Sequence, residues 1–236
     1  MALESIKLSA EAAPEMLGIE TGTFGSQWER LSAEVFDVDL MHDMAMDFLT
    51  ETLGDDLLVH AAGFYASDLG LRLVAVENAA HMDEASEQRQ AAGVALVAEM
   101  VRESAPRLAL LRRMNAAVDV NDTNVKAVQE IQYRFLVAAS AAGVLDLRID
   151  PEELRAILRR DEARLRNAMR ESGLANAAYT YRDLPDADLE AYAEALEHPK
   201  MQEVYMLMNV VQYEITANRF EVLARRMSAL QPEEEL

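Results

Sequence analysis

The chain of 236 residues carries 42 acidic against 22 basic side chains, a net charge of −20, and its 51% apolar content comes mainly from Ala, Leu, Val and Met. A surface this acidic repels phosphate backbones and anionic lipid, which sets nucleic acid and membrane surfaces aside as partners. With no cysteine, disulfides, thiolate nucleophiles and Cys-ligated zinc or iron–sulfur centres are excluded.

Helix formers dominate, and only nine glycines and six prolines punctuate the chain, so the expected architecture is all-α with long elements. Leu3, Ile6, Ala10, Ala13 and Leu17 recur at helical spacing and predict a first helix over 3–17, followed by a Gly/Thr-rich loop over 18–25. Ser26 is read as the cap of a helix carrying Trp28, Leu31 and Val35, with Glu29 completing a capping box. Asp37 caps the next, whose inward stripe is expected at Leu40, Met41, Met44, Phe48 and Leu49. Asp55 opens a further helix that ends where Ser67-Asp68 forms a fresh cap, so the two helices must meet at a sharp corner.

The stripe Leu69, Leu73, Val76, Ala80 then continues through a polar stretch at 83–90 to Val94, Val97 and Val101. That polar stretch either projects into solvent or hides a break. Pro106 starts another helix, and Asp122 or Thr123 caps a strongly apolar one that runs to Gly143. Asp150-Pro151 opens a charged helix to Gly173 with Leu154, Ile157, Leu158, Leu165 and Met169 inward, and residues 231–236 read as an acidic tail. The longest apolar run, Phe135 to Leu145, falls short of the roughly 20 residues that span a bilayer, so no membrane insertion is expected. The first residues show neither the basic start nor the apolar core of a signal peptide.

One pattern repeats. Leu53-Gly-Asp-Asp-Leu-Leu has a counterpart in Leu184-Pro-Asp-Ala-Asp-Leu, and each opens a helix that stops at a short polar corner. The expectation is a multi-helix array of about eight to ten helices containing two related hairpins, 53–78 and 184–209. Leu58 would then match Leu189, and Leu53 would match Leu184, as buried pairs. In domain terms this is an N-terminal segment 1–36, a first half 37–118, a second half 119–230 and the tail 231–236, forming one compact unit.

At Phe64-Tyr65-Ala66-Ser67-Asp68-Leu69-Gly70 the chain resembles a bacterial family catalogued as domain of unknown function twenty-fifty-nine. Members commonly show Phe-Tyr-x-Ser-Pro-x-Gly at this corner; here Asp68 replaces the proline, while the second hairpin keeps one in His198-Pro199. The resemblance extends from about residue 37 onward. It implies an all-helical, usually exported protein, with the periplasm as location and the cytoplasm as the alternative, and it supplies no catalytic residues to transfer.

The candidate sites compete with plain structural explanations. Met41, His42, Met44 and Met46 offer thioether and imidazole donors that suit Cu(I), but on a helix they diverge, and core packing is the favoured reading. Asp119 to Glu130 matches a calcium loop at four positions and fails at its turn glycine, where Asn124 stands. His60, near Asp56, and His81 are isolated, and no nucleophile elbow, phosphate loop or zinc-protease motif occurs. Tyr65, Tyr192, Tyr205 and Tyr213 are expected to bury their rings and satisfy their hydroxyls locally.

The corner residues Phe64, Tyr65, Ser67, Asp68, Gly70, His198 and Pro199 are therefore assigned a structural role, with no metal or cofactor expected. The resulting functional reading is a non-catalytic interaction or structural module that self-associates or meets a protein partner. A periplasmic binding protein for a metal or small ligand is the alternative, and an enzyme ranks third.

Overall fold

The computed structural model describes residues 25–82, 85–119 and 122–230, together with Ile6 and Ala13. Helix accounts for 84% of it, and no strand occurs among the described residues. In chain order the helices are α1 (Gly25–Val35), α2 (Val38–Thr52), α3 (Asp55–Tyr65), α4 (Asp68–Met82), α5 (Ser86–Arg102) and α6 (Arg107–Val118). They continue as α7 (Thr123–Ala141), α8 (Pro151–Arg160), α9 (Glu162–Thr180), α10 (Asp186–Glu197) and α11 (Pro199–Met227). The rest of the expected 3–17 helix, the 18–24 loop, positions 83–84 and the 231–236 tail lie outside the described residues. Ile6 and Ala13 are helical and buried.

The chain forms two compact units that do not follow its order. One is drawn from 51–125 and 163–209, the other from 2–50, 126–162 and 210–236. Both hairpins, 53–78 and 184–209, fall in the first. Its core gathers Leu57, Leu73, Leu108, Leu111, Met114, Leu189, Tyr192, Leu196 and Met201. The core of the other unit centres on Phe220, whose ring meets Phe36 and Phe135 edge-on, each at 5.3 Å between centroids. Met41, Ile215 and Leu223 complete that core, with Met44, Ala45 and Leu49 packed against it.

Local chemistry explains most helix ends. Asp37 Oδ1 accepts from the Leu40 amide at 2.8 Å, and Asp150 Oδ1 accepts from Glu153 N at 2.8 Å, each satisfying an orphan donor of the first turn. Ser26 already lies inside α1, which begins at Gly25, so it is not the cap. Nor is Asp122 or Thr123 the cap of α7. Asp119 Oδ1 accepts from Thr123 N at 2.7 Å, which leaves Asp122, at a left-handed φ of 50°, to bind Arg166 and Arg170. The long 69–101 pattern is two helices, α4 ending at Met82 and α5 starting at Ser86, and the charged helix breaks at Asp161 before α9 runs on to Thr180.

Several inward stripes sit one position away from their sequence reading. On α5 the buried side holds Gly93 and Met100, with Leu96 and Val97 partly buried, whereas Val94 and Val101 are exposed. The reason is Gly93: a Cβ there would overlap the Ala175 carbonyl oxygen, so α5 presses its backbone against α9 at the glycine. On α2, Met41 is buried while Leu40 and Phe48 face outward; on α8, Ile157 is exposed. The proposed pairing of Leu58 with Leu189 fails, because Leu58 is 51% exposed and Leu189 fully buried. The buried position on α3 is Leu57.

Candidate functional site

The corner between α3 and α4 is built by its own residues. Ser67 Oγ donates to the Phe64 carbonyl at 2.6 Å and accepts from the Gly70 amide at 3.1 Å, closing α3 and capping α4 with one hydroxyl. Gly70 is buried against the preceding turn: a Cβ would collide with the Phe64 carbonyl oxygen and lie 2.6 Å from Tyr65 Cα. Asp68 stands in the first turn of α4, where a carboxylate interacts favourably with the helix dipole. Phe64 stacks on Tyr192 at 5.8 Å, and Tyr65 points its hydroxyl at that of Tyr205, 2.6 Å away.

That contact starts a chain of phenols. Tyr192 lies 3.3 Å from Tyr205 and donates to Glu77 Oε1 at 3.1 Å, and Tyr181 donates to the same oxygen at 2.7 Å. A phenol has one proton to give. Because Tyr192 spends its proton on Glu77, Tyr205 must donate to Tyr192, and Tyr65 to Tyr205. The order of donors is therefore fixed from the corner to the carboxylate. Burial is the main cause that raises the Tyr65, Tyr181, Tyr192 and Tyr205 hydroxyls above the ordinary phenol value, so all four stay protonated at neutral pH. Glu77 and Tyr181 were not among the residues singled out from the sequence. Their signal was an acid on the apolar stripe of α4, between Leu73 and Ala80.

At the far corner His198 stacks face to face on His60, with ring centroids 4.3 Å apart, and its Nδ1 accepts from the Lys200 amide at 3.2 Å. Lys200 in turn reaches Asp56 at 3.2 Å, and Arg72 reaches Asp188 at 2.8 Å. Pro199 opens α11. The Tyr65–Tyr205, Phe64–Tyr192, His60–His198, Lys200–Asp56 and Arg72–Asp188 contacts join the α3–α4 hairpin to α10 and α11.

Inward residues at Leu57, His60, Ala61, Phe64 and Tyr65 leave the opposite side of α3 uncovered. Leu58, Val59 (71% exposed), Ala62 and Gly63 form that side, continued by Ala66, and α3 contains no Lys or Arg. Elsewhere in the same unit a cleft of about 430 Å³ is lined by Arg112, Asn115, Asp119, Asp122, Arg170 and Leu174.

The other candidates are dispersed. Met41 is buried in the core around Phe220 and Met44 is partly buried against it, whereas His42 faces outward, 3.6 Å from Asp43, and Met46 is exposed. Within the calcium-like segment, Asp119 caps α7, Thr123 is already helical and Glu130 pairs with Arg155; Asn121 lies outside the described residues. His81 is exposed in the last turn of α4. Tyr213 lies beside Arg134, in the unit built around Phe220 and apart from the other three tyrosines. Among the described residues no three His, Asp or Glu side chains converge as a metal site would require, and no helix is long and apolar enough to cross a membrane.

No curated protein and no solved structure matches the chain. Residues 39–99, which hold nearly all of α2, the α3–α4 corner and most of α5, match the family described as "Uncharacterized protein conserved in bacteria (DUF2059)", the family that the corner sequence resembles.

Proposed function

We propose that the protein is a non-catalytic interaction or structural module of the bacterial periplasm. The observation that carries this reading is the uncovered apolar side of α3, which lies within the family-matched residues and is held outward by the corner. Exposed apolar side chains that share one face mark association surfaces far more often than scattered ones do. The residues Phe64, Tyr65, Ser67, Asp68, Gly70, His198 and Pro199 serve this function by fixing the hairpin that presents the face. The periplasmic location rests on the family resemblance alone. In this reading the two hairpins are a repeat whose first helices align one residue away from the sequence pairing, Leu57 with Leu189 and Phe64 with Leu196.

A native mass spectrum of untagged protein purified from its own host tests the reading. A stoichiometric complex with protein, lost in a Leu58→Asp/Val59→Asp variant that keeps its helical circular dichroism, is the expected result. A bound metal or small molecule in place of protein would favour the second reading, a periplasmic ligand-binding protein. The cleft beside α6 and α9 speaks for that alternative: it is roomy enough for a small ligand and offers the guanidinium of Arg112 beside apolar Leu174. Cell fractionation of the full-length protein tests the location.

A further inference from the structure

The uncovered side of α3 has an end as well as a surface. Leu58, Val59, Ala62, Gly63 and Ala66 run along about two turns, roughly 12 Å, and Asp55 extends the span to about three turns. Ala62, Gly63 and Ala66 let another backbone approach closely, while Leu58 and Val59 supply the bulk that fills a facing groove. An exposed carboxylate stands at each end: Asp55 at the first turn, and Asp68 two residues beyond Ala66. Each stabilises its own helix start, which leaves its charge in place at the edge. Among the described residues neither carboxylate has a hydrogen bond or ion pair with a side chain. The cations at the margin are occupied: Lys200 pairs with Asp56, and Arg72 pairs with Asp188 and donates to the Asp68 carbonyl.

We propose that this face docks an amphipathic helix of a partner protein whose small apolar stripe carries Lys or Arg at both ends, about three turns apart. The two acids choose this occupant over a second copy of the chain. Antiparallel pairing of two α3 helices would set Asp55 against Asp68, and parallel pairing would set Asp55 against Asp55. Either arrangement opposes like charges, on molecules that each carry −20. The same acids disfavour an anionic lipid surface. This proposal rests on reading the protein as an interaction module and names that module's partner chemistry.

The test uses the full chain and two labelled synthetic helices that share a Leu/Ala stripe, one with Lys at both ends and one with Glu, read by fluorescence anisotropy. The Lys-ended helix should bind roughly tenfold tighter than the Glu-ended one, and added salt should shrink the difference. The preference should reverse in a doubly swapped Asp55→Lys/Asp68→Lys chain. Both helices should be lost in Val59→Asp, with circular dichroism confirming that each variant keeps its helix content. Equal affinity for the two helices, or none for the Lys-ended one, overturns the proposal. So does dimerisation in sedimentation, or partition onto phosphatidylcholine vesicles, if Val59→Asp abolishes it. Dimerisation would leave the interaction-module reading standing. A small molecule bound in the native spectrum, with no binding at α3, would remove both.

Discussion

The two units solve the same packing problem with different chemistry. Around Phe220 the buried side chains among the described residues are hydrocarbon and thioether, with the rings of Phe36 and Phe135 each meeting that of Phe220 edge-on. In the other unit tyrosines pack beside Phe64, and their hydroxyls run in one donor order from Tyr65 to Glu77. A hydrocarbon core tolerates a shape-conserving exchange, because dispersion has no direction. A hydrogen-bonded core penalises any exchange that strands a donor, and in return it fixes one arrangement of the elements it joins. Those elements are the family-type corner and the α10–α11 hairpin, which present the uncovered side of α3.

The difference can be broken from either side. Phe220→Ala should cost the most, about 3–5 kcal/mol in a denaturant titration, because it removes a buried ring and leaves a cavity between two others. Phe220→Leu should recover most of that loss. Met41→Ala in the same core should cost about 2–4 kcal/mol, and Met44→Ala less, since Met44 is only partly buried. A Cu(I) site would reveal itself instead as stoichiometric binding, under a competing chelator, that Met41→Leu and Met44→Leu abolish.

In the tyrosine unit, Glu77→Leu removes the acceptor of two phenols and strands both donors, at about 1–3 kcal/mol for each buried group. Tyr65→Phe, at the donor end of the chain, should cost only about 1 kcal/mol, because Tyr205 loses an incoming bond and keeps its outgoing one. Equal losses for these two variants would contradict the donor order.

The same chain predicts a response to base. All four phenols have folded pKa values raised above the ordinary value near 10, so above that pH the unfolded state releases protons that the folded state retains. Their contribution to stability is complete below pH about 10 and falls as pH rises further. Tyrosinate absorbance should show these four ionising only as the protein unfolds. Reversible titration of all tyrosines with the fold intact would rule the buried network out.

The all-helical class was legible because apolar spacing and capping residues act within one turn or two. Asp37, Ser67 and Asp150 cap where the sequence places them, and the sharp corner at 66–68 follows from a cap that immediately succeeds a helix. Which of two adjacent apolar residues turns inward was not legible. Leu57 over Leu58, and Leu96 with Met100 over Val94 with Val101, are decided by anchors that lie far away in sequence. Phe64 and Tyr65 are held by Tyr192 and Tyr205, and Gly93 by the backbone of Ala175. A helix wheel leaves about one residue of rotational freedom, and only the neighbouring helix removes it.

Asp122 and Glu77 show the same limit for polar residues. Each has a plausible local role, capping for the first and a solvated helix face for the second, and each was claimed by partners 44 to 115 residues away. Sequence by itself determined the all-helical class and the caps at Asp37, Ser67 and Asp150, because those depend on neighbours along the chain. Tertiary structure decided the rotation of each helix, the chain of tyrosines that ends on the Glu77 carboxylate and the side of α3 left uncovered. Those depend on contacts between segments that the chain order keeps apart.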